Sequence, residues 1–84
     1  MKVIYYVYIL RCVDGSYYTG ITNNLEKRIQ MHNQGRGSKY VRSRLPAELV
    51  YFLKCSSKSE ALKMELQIKK LPRYRKSNLI ENSR

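Results

Sequence analysis

Cysteine is scarce in this sequence, and its placement excludes two kinds of site. Cys12 and Cys55 stand far apart, with no CxxC pair and no cysteine–histidine cluster. This spacing argues against a zinc site and provides no disulfide framework. We therefore interpret both cysteines as small core residues of a cytoplasmic protein.

Long apolar runs are also missing. The longest, VIYYVYIL at residues 3–10, is too short to cross a bilayer. It also lacks the small-residue cleavage site of a signal peptide, so we expect neither a membrane span nor a cleaved leader.

Acidic residues are few, which leaves the charge strongly one-sided. Six Asp and Glu stand against seventeen Lys and Arg, a formal net charge of +11 on 84 residues. Such a surplus attracts polyanions, of which nucleic acid is the commonest. An acidic protein and an anionic membrane surface are the alternatives. The basic residues are spread over several predicted elements rather than one amphipathic helix, and this favours nucleic acid.

The length and composition are those of one small globular domain, which we assign to residues 1–84. No internal repeat or linker is visible. Turn residues, β-branched runs and capping patterns predict the elements. They are strands at 3–12, 16–21 and 48–55, a helix from an Asn23 cap to about Asn33, a short turn at 39–42, a helix from a Ser57 cap to about Lys70, and a short helix from Arg73. The order β-β-α-β-α predicts an α/β arrangement with helices packed on a small sheet.

The turn between the first two strands decides which tyrosines can cooperate. A two-residue Asp14-Gly15 loop would place Tyr8 and Tyr18 on opposite faces of the sheet. A three-residue loop, which is equally compatible with the sequence, would pair Tyr8 with Gly20 and put both tyrosines on one face. In that register Gly20 would leave a hollow beside Tyr8 that a phosphate could approach.

Arg28 and His32 lie one turn apart on the first predicted helix, beside its buried direction at Leu25 and Ile29. Either residue alone is most simply structural, as a salt-bridged arginine or a half-buried histidine. Together, and next to paired tyrosines, they favour a functional site.

The second long helix carries a carboxylate in an apolar arc. Glu65 falls within the stripe formed by Ala61, Met64, Ile68 and Leu71. Burial of a carboxylate is costly unless it is paired or binds a cation. An ion pair with Lys69 is one interpretation, and a metal-binding residue at the bottom of a cleft is the other.

These motifs together resemble the GIY-YIG nuclease domain over nearly the whole chain. The matching segments are VYI around Tyr8, YTG at 18–20, NLEKRI with Arg28, and SEALKMELQIKKL with Glu65. Tyr6 and Val7 replace the glycine and isoleucine of the first family motif, and Thr19 replaces the isoleucine of the second. The short chain resembles the stand-alone bacterial group of uncharacterised GIY-YIG proteins.

The resemblance implies a small three-stranded antiparallel sheet flanked by helices. It also implies a metal-dependent endonuclease that hydrolyses DNA phosphodiester bonds with one divalent ion, Mg²⁺ or Mn²⁺. In this family pattern Glu65 would bind the metal, Tyr8 would be or assist the general base, and Tyr18 would orient water or phosphate. Arg28 would hold the scissile phosphate, and His32 would share the base role.

The basic, glycine-containing segment after the first helix is expected to contact phosphates flanking the cut. Its cationic residues are Arg36, Lys39, Arg42 and Arg44. Phosphate contacts carry no sequence code, so we expect cutting directed by DNA structure or damage, with any sequence specificity supplied by a protein partner. A nucleic-acid-binding module that does not cut is the alternative function. The sequence does not indicate an oligomeric state.

Overall fold

The computed structural model describes residues 3–83 and contains a three-stranded antiparallel sheet with helices on its faces. The elements are β1 Tyr5–Arg11, β2 Tyr17–Thr22, α1 Leu25–Asn33, α2 Lys39–Arg42, β3 Glu48–Cys55, α3 Lys58–Lys70 and α4 Arg73–Asn82. The strand order is β2-β1-β3, with β1 antiparallel to both neighbours. The predicted fold class is confirmed, and α4 is a ten-residue helix rather than the short one expected.

The hairpin between β1 and β2 takes the three-residue register. The Cys12 amide donates to the Ser16 carbonyl at 2.8 Å, and Gly15 has a φ of +83°. A left-handed residue of this kind closes a three-residue loop, and glycine adopts it without steric cost. Tyr8 therefore pairs with Gly20 across the two strands.

The central strand β1 is covered on both faces, as its continuous apolar run predicts. Val7 and Ile9 pack with α3 and α4 in one core cluster. Tyr8 and Leu10 belong to a second cluster on the other face, with α1 and α2. Cys12 and Cys55 are buried free thiols in different clusters, in agreement with their interpretation as core residues.

The helix caps test the sequence patterns directly. Ser57 caps α3 by accepting a hydrogen bond from the Glu60 amide at 3.1 Å, as predicted. The Asn23 cap predicted for α1 is wrong by one residue. Asn24 is the cap, and its side chain accepts from the Lys27 amide at 3.1 Å. Thr22 Oγ1 accepts from the Asn24 amide, which holds Asn24 at the helix entrance.

The segment from α1 to β3 folds back over the sheet. Gly35 has a φ of +78° and ends α1 by donating to the His32 carbonyl. Ser38 then caps α2, and the Val13 amide donates to the Arg44 carbonyl at 3.0 Å. These bonds hold the basic segment against the hairpin. Among residues 3–83, no helix is long and apolar enough to cross a membrane.

Candidate active site

The centre of the site is a buried tyrosine–histidine pair. Tyr8 comes from β1 and His32 from the last turn of α1, and their exposed fractions are 1% and 0%. The Tyr8 hydroxyl and His32 Nε2 are hydrogen-bonded at 2.9 Å. His32 Nδ1 is buried and has no hydrogen-bond partner within residues 3–83. The only polar group that the ring engages there is therefore the Tyr8 phenol.

Tyr18 completes an aromatic cluster around this pair. Its ring centroid lies 6.4 Å from that of Tyr8 and 5.4 Å from that of His32. The two tyrosines share one face of the sheet, as the three-residue register requires. The hollow expected at Gly20 is filled by Tyr8 itself, since a Cβ added at Gly20 would lie 2.6 Å from the Tyr8 hydroxyl. Glycine is needed there to admit the phenol rather than a phosphate.

Burial keeps both members of the pair uncharged near neutral pH. It raises the pKa of Tyr8, although the nearby Arg28 guanidinium opposes this shift. Burial also lowers the pKa of His32, and the positive charge of Arg28 adds to the effect. The pair therefore consists of a protonated phenol and a neutral imidazole, between which one proton is shared.

Arg28 and Glu65, from different elements, both affect the pKa of the Tyr8 phenol through their charges. Arg28 is half-buried on α1, and the charges of both residues act on Tyr8. The Glu65 side chain, from α3, is 20% exposed and pairs with Lys69 Nζ at 3.6 Å. The structure thus groups Tyr8, Tyr18, Arg28 and His32 on one face of the sheet. Glu65, from the α3 layer, is near enough for its charge to raise the pKa of Tyr8.

The residues present suit a cation that needs few protein ligands. The described residues 3–83 contain no cluster of three or more His, Cys, Asp or Glu side chains. Mg²⁺ usually binds one or two carboxylates and completes its shell with water and substrate phosphate. Glu65 is such a carboxylate, and it already attracts the Lys69 ammonium. A divalent ion at this site would therefore have one protein carboxylate, Glu65, and would take its remaining ligands from outside the chain.

Comparison with known proteins decides the family. The sequence profile of the GIY-YIG catalytic domain matches residues 4–78. The chain belongs to the GIY-YIG family. Membership in this nuclease family implies endonuclease activity and a nucleic acid substrate.

This GIY-YIG domain is similar to a group of small bacterial and archaeal proteins named UPF0213. A UPF0213 protein of Oceanobacillus iheyensis is 58% identical over 77 residues, which are 92% of this chain and 90% of the relative. YazA of Bacillus subtilis is 42% identical over 80 residues, 95% of this chain and 81% of the relative. The prediction of a stand-alone GIY-YIG group is confirmed.

Two solution NMR structures show the same fold. The UPF0213 protein of Bacillus halodurans is 45% identical, with a TM-score of 0.61 over 93% of this chain and 83% of its own. A protein of E. faecalis is 37% identical, with a TM-score of 0.64 over 98% of this chain and 90% of its own.

The basic segment of the GIY-YIG domain contains three exposed cations and one that is engaged with other residues. Arg36, Lys39 and Arg42 are exposed. Arg44 instead donates from Nε to the Asp14 carboxylate at 3.0 Å, and its guanidinium lies 3.9 Å from the Tyr40 ring centroid. Arg44 therefore fastens α2 to the hairpin, and contact with a phosphate would have to compete with these partners.

Tyr40 is a site neighbour that the sequence patterns did not identify. Its ring stacks on Tyr18 at 6.2 Å between centroids, and the Arg44 guanidinium lies over the same Tyr40 ring. Tyr18 is thus held between His32 and Tyr40. The signal in the sequence is the i,i+4 spacing of Tyr40 and Arg44 after a Ser38 cap, which is too common a pattern to indicate a site.

Proposed function

We propose that this GIY-YIG domain hydrolyses DNA phosphodiester bonds with one divalent cation, Mg²⁺ or Mn²⁺, at a catalytic cluster made of Tyr8, Tyr18, Arg28, His32 and Glu65. The observation that carries the proposal is the buried hydrogen bond between the Tyr8 hydroxyl and His32 Nε2, at 2.9 Å, beside Arg28 and Glu65. A phenol alone is a poor base at neutral pH, because its ordinary pKa is about 10. A phenol that is hydrogen-bonded to a neutral imidazole can transfer its proton to the imidazole nitrogen.

The proton transfer that this geometry supports is a relay. The Tyr8 oxygen accepts a proton from the attacking water as its own proton passes to His32 Nε2. The lowered pKa of His32 keeps the imidazole neutral and able to accept that proton. The relay requires the His32 tautomer whose proton is on Nδ1, the nitrogen with no other partner within residues 3–83. Tyr8 never has to be a free phenolate, which its raised pKa disfavours.

Charge on the substrate is the second requirement of the reaction. Arg28 would bind the scissile phosphate and stabilise its developing negative charge. Glu65 would hold the cation, which when bound supplies further positive charge to the phosphate oxygens. Tyr18, held between two rings, would orient the phosphate or the water.

Substrate choice would follow from phosphate contacts alone. Arg36, Lys39 and Arg42 are exposed around α2 and suit the sugar–phosphate backbone. We therefore propose that DNA structure or damage, not base sequence, directs cutting, unless a partner protein supplies specificity.

A cleavage assay with matched carboxylate variants tests the proposal. Labelled branched, nicked and linear DNA is incubated with Mg²⁺, Mn²⁺ or a chelator. Free ends should form only with a cation, and Glu65→Ala should abolish them. Glu81→Ala, which removes an exposed carboxylate from α4, should cut normally. Full activity of Glu65→Ala would refute the metal role, and binding without cutting on every substrate would favour the non-cleaving module.

A further inference from the structure

A second basic feature lies beside the proposed catalytic cluster, at the edge of the sheet formed by β2. A cavity of about 280 Å³ is lined by Tyr17, Tyr18, Thr19, Tyr40, Lys69 and Lys76. We call it the lysine cavity. Tyr17 and Tyr18 are consecutive on a strand and point to opposite faces. Because both line it, the lysine cavity lies where the two helical layers meet around the edge strand.

The charges around the lysine cavity are incompletely matched. None of the described residues that line it is Asp or Glu. Lys76 is half-buried and has no salt bridge among residues 3–83, and Lys69 is paired only with Glu65. The cavity is therefore suited to an anion from outside the chain.

The size and lining of the cavity indicate the class of anion. Its volume suits one phosphate with part of a sugar, rather than a folded partner's surface. Tyrosine rings and hydroxyls beside two ammonium groups match a sugar–phosphate backbone. Tyr18 belongs both to the lysine cavity and to the catalytic cluster. A phosphate in the cavity would thus lie near the phosphate bound by Arg28, on the same strand of the nucleic acid.

We propose that Lys69 and Lys76 bind a backbone phosphate of the nucleic acid adjacent to the phosphate that is cut. The inference rests on the proposed function, and it adds α3 and α4 to the substrate-binding surface. The Lys69–Glu65 pair is loose, with 3.6 Å between nitrogen and oxygen, and the Lys69 side chain is 51% exposed. A phosphate in the cavity would draw the Lys69 ammonium away from Glu65. Phosphate binding would then free Glu65 for the cation, so each ligand would favour the other.

Binding measured without cleavage tests the site. Fluorescence anisotropy with labelled nicked DNA in chelator compares the unsubstituted protein with the double variant Lys69→Met/Lys76→Met. The control, Lys63→Met/Lys70→Met, removes two exposed charges from α3 outside the cavity lining. The cavity variant should bind at least about tenfold more weakly, and its plot of log K against log[salt] should be shallower by about 0.9 for each lost duplex contact. The control should change much less.

Three outcomes would count against the site. Equal losses in the cavity variant and the control would show that only net charge matters, and would overturn the inference while leaving the proposed function standing. An unchanged salt dependence of the cavity variant would do the same. Absence of DNA binding by the unsubstituted protein would overturn both. Amide NMR spectra of each variant establish that the fold is retained.

Discussion

At the scale of single residues, the chemistry depends on a neutral hydrogen-bonded pair. Tyr8→Phe removes the hydroxyl from this pair and leaves both His32 nitrogens unpaired within residues 3–83. Cleavage should fall by about 10²–10⁴-fold, the usual contribution of a general base. The free energy of unfolding should fall by about 1–3 kcal/mol, because a buried polar group loses its partner.

A matched tyrosine separates these two effects. Tyr51→Phe removes a hydroxyl from β3 on the opposite face of the sheet, where Tyr51 packs with the α3 and α4 cluster. Its cleavage rate should equal that of the unsubstituted protein. Cleavage assays and urea unfolding of both variants make the comparison. Cleavage by Tyr8→Phe at the normal rate would remove the phenol from the mechanism.

The same pair predicts how stability depends on pH. The pKa of His32 is lower in the folded protein than its usual value of about 6.5. Below pH 6.5 the unfolded chain therefore binds a proton that the folded chain does not, and stability falls as the pH decreases. The full contribution of neutral His32 to the stability of the fold is present above pH 6.5.

Urea unfolding between about pH 7.5 and 5 measures this loss, and His32→Gln should remove most of it. Other resolved shifts act outside this range. Hydrogen bonds from Ser16 lower the pKa of Asp14 below 3.8. Burial raises the pKa values of Tyr8, Tyr51 and Cys55 above the ordinary values of a tyrosine and a cysteine. If the free energy of unfolding depended on pH in the same way in His32→Gln and in the unsubstituted protein, the assignment of this loss to His32 would be wrong.

At the scale of helices and strands, local patterns predicted most boundaries. The bounds of β3 and the Ser57 cap of α3 followed from a β-branched and aromatic run and from an S-x-x-E sequence. The α1 cap was misplaced because Asn23 and Asn24 have the same intrinsic preference. The hydrogen bond to Thr22 Oγ1, which selects Asn24, depends on where β2 ends.

Long-range contacts set what local patterns left open. Asp14 and Gly15 fit both hairpin registers, so the sequence could not choose the one that puts Tyr8 and Tyr18 on one face. The ion pair between Asp14 and Arg44 spans thirty positions and has no periodic signal. The residues of the candidate site were nevertheless mostly predictable, because the family motifs name them. The spacing of these residues along the chain does not by itself show that they come together in the fold.

The α3 helix makes its own prediction about the cation. Lys69 lies one turn after Glu65 and competes with any metal for the carboxylate. Lys69→Met should therefore tighten Mg²⁺ binding, by about two- to fivefold if the partly exposed pair contributes up to about 1 kcal/mol. Titration followed by amide NMR shifts in α3 measures the affinity without nucleic acid. Lys70→Met removes the same charge one residue further on, and an equal gain in that variant would rule out direct competition.

At the scale of the whole molecule, the small sheet explains how distant residues meet. The radius of gyration of the molecule is 12.3 Å, and β2 is an edge strand with helical layers on both sides. At this edge Lys69, which pairs with Glu65 in the α3 layer, lines the lysine cavity together with Tyr18 of the other face. The catalytic cluster and the lysine cavity are therefore side by side, although their residues come from both ends of the chain.

The net charge of +11 leads to the last prediction, which concerns salt. The cations assigned to phosphate contacts are Arg28, Arg36, Lys39, Arg42, Lys69 and Lys76. Because Lys69 and Lys76 share one phosphate, these cations make about five phosphate contacts, so log K should fall with log[salt] at a slope of about −4.5 on duplex DNA. Affinity should drop about 10³-fold between about 50 and 200 mM salt.

Anisotropy over this salt range measures the slope, and a matched pair of variants assigns it. Lys39→Met/Arg42→Met, in the exposed part of α2, should make the slope shallower by nearly 2, whereas Lys63→Met/Lys70→Met should barely change it. A slope near −1 for the unsubstituted protein would mean that few of these cations reach phosphates. The surplus positive charge would then attract DNA only through its long-range field. Neither the basic segment around α2 nor the lysine cavity would position the DNA strand over Tyr8.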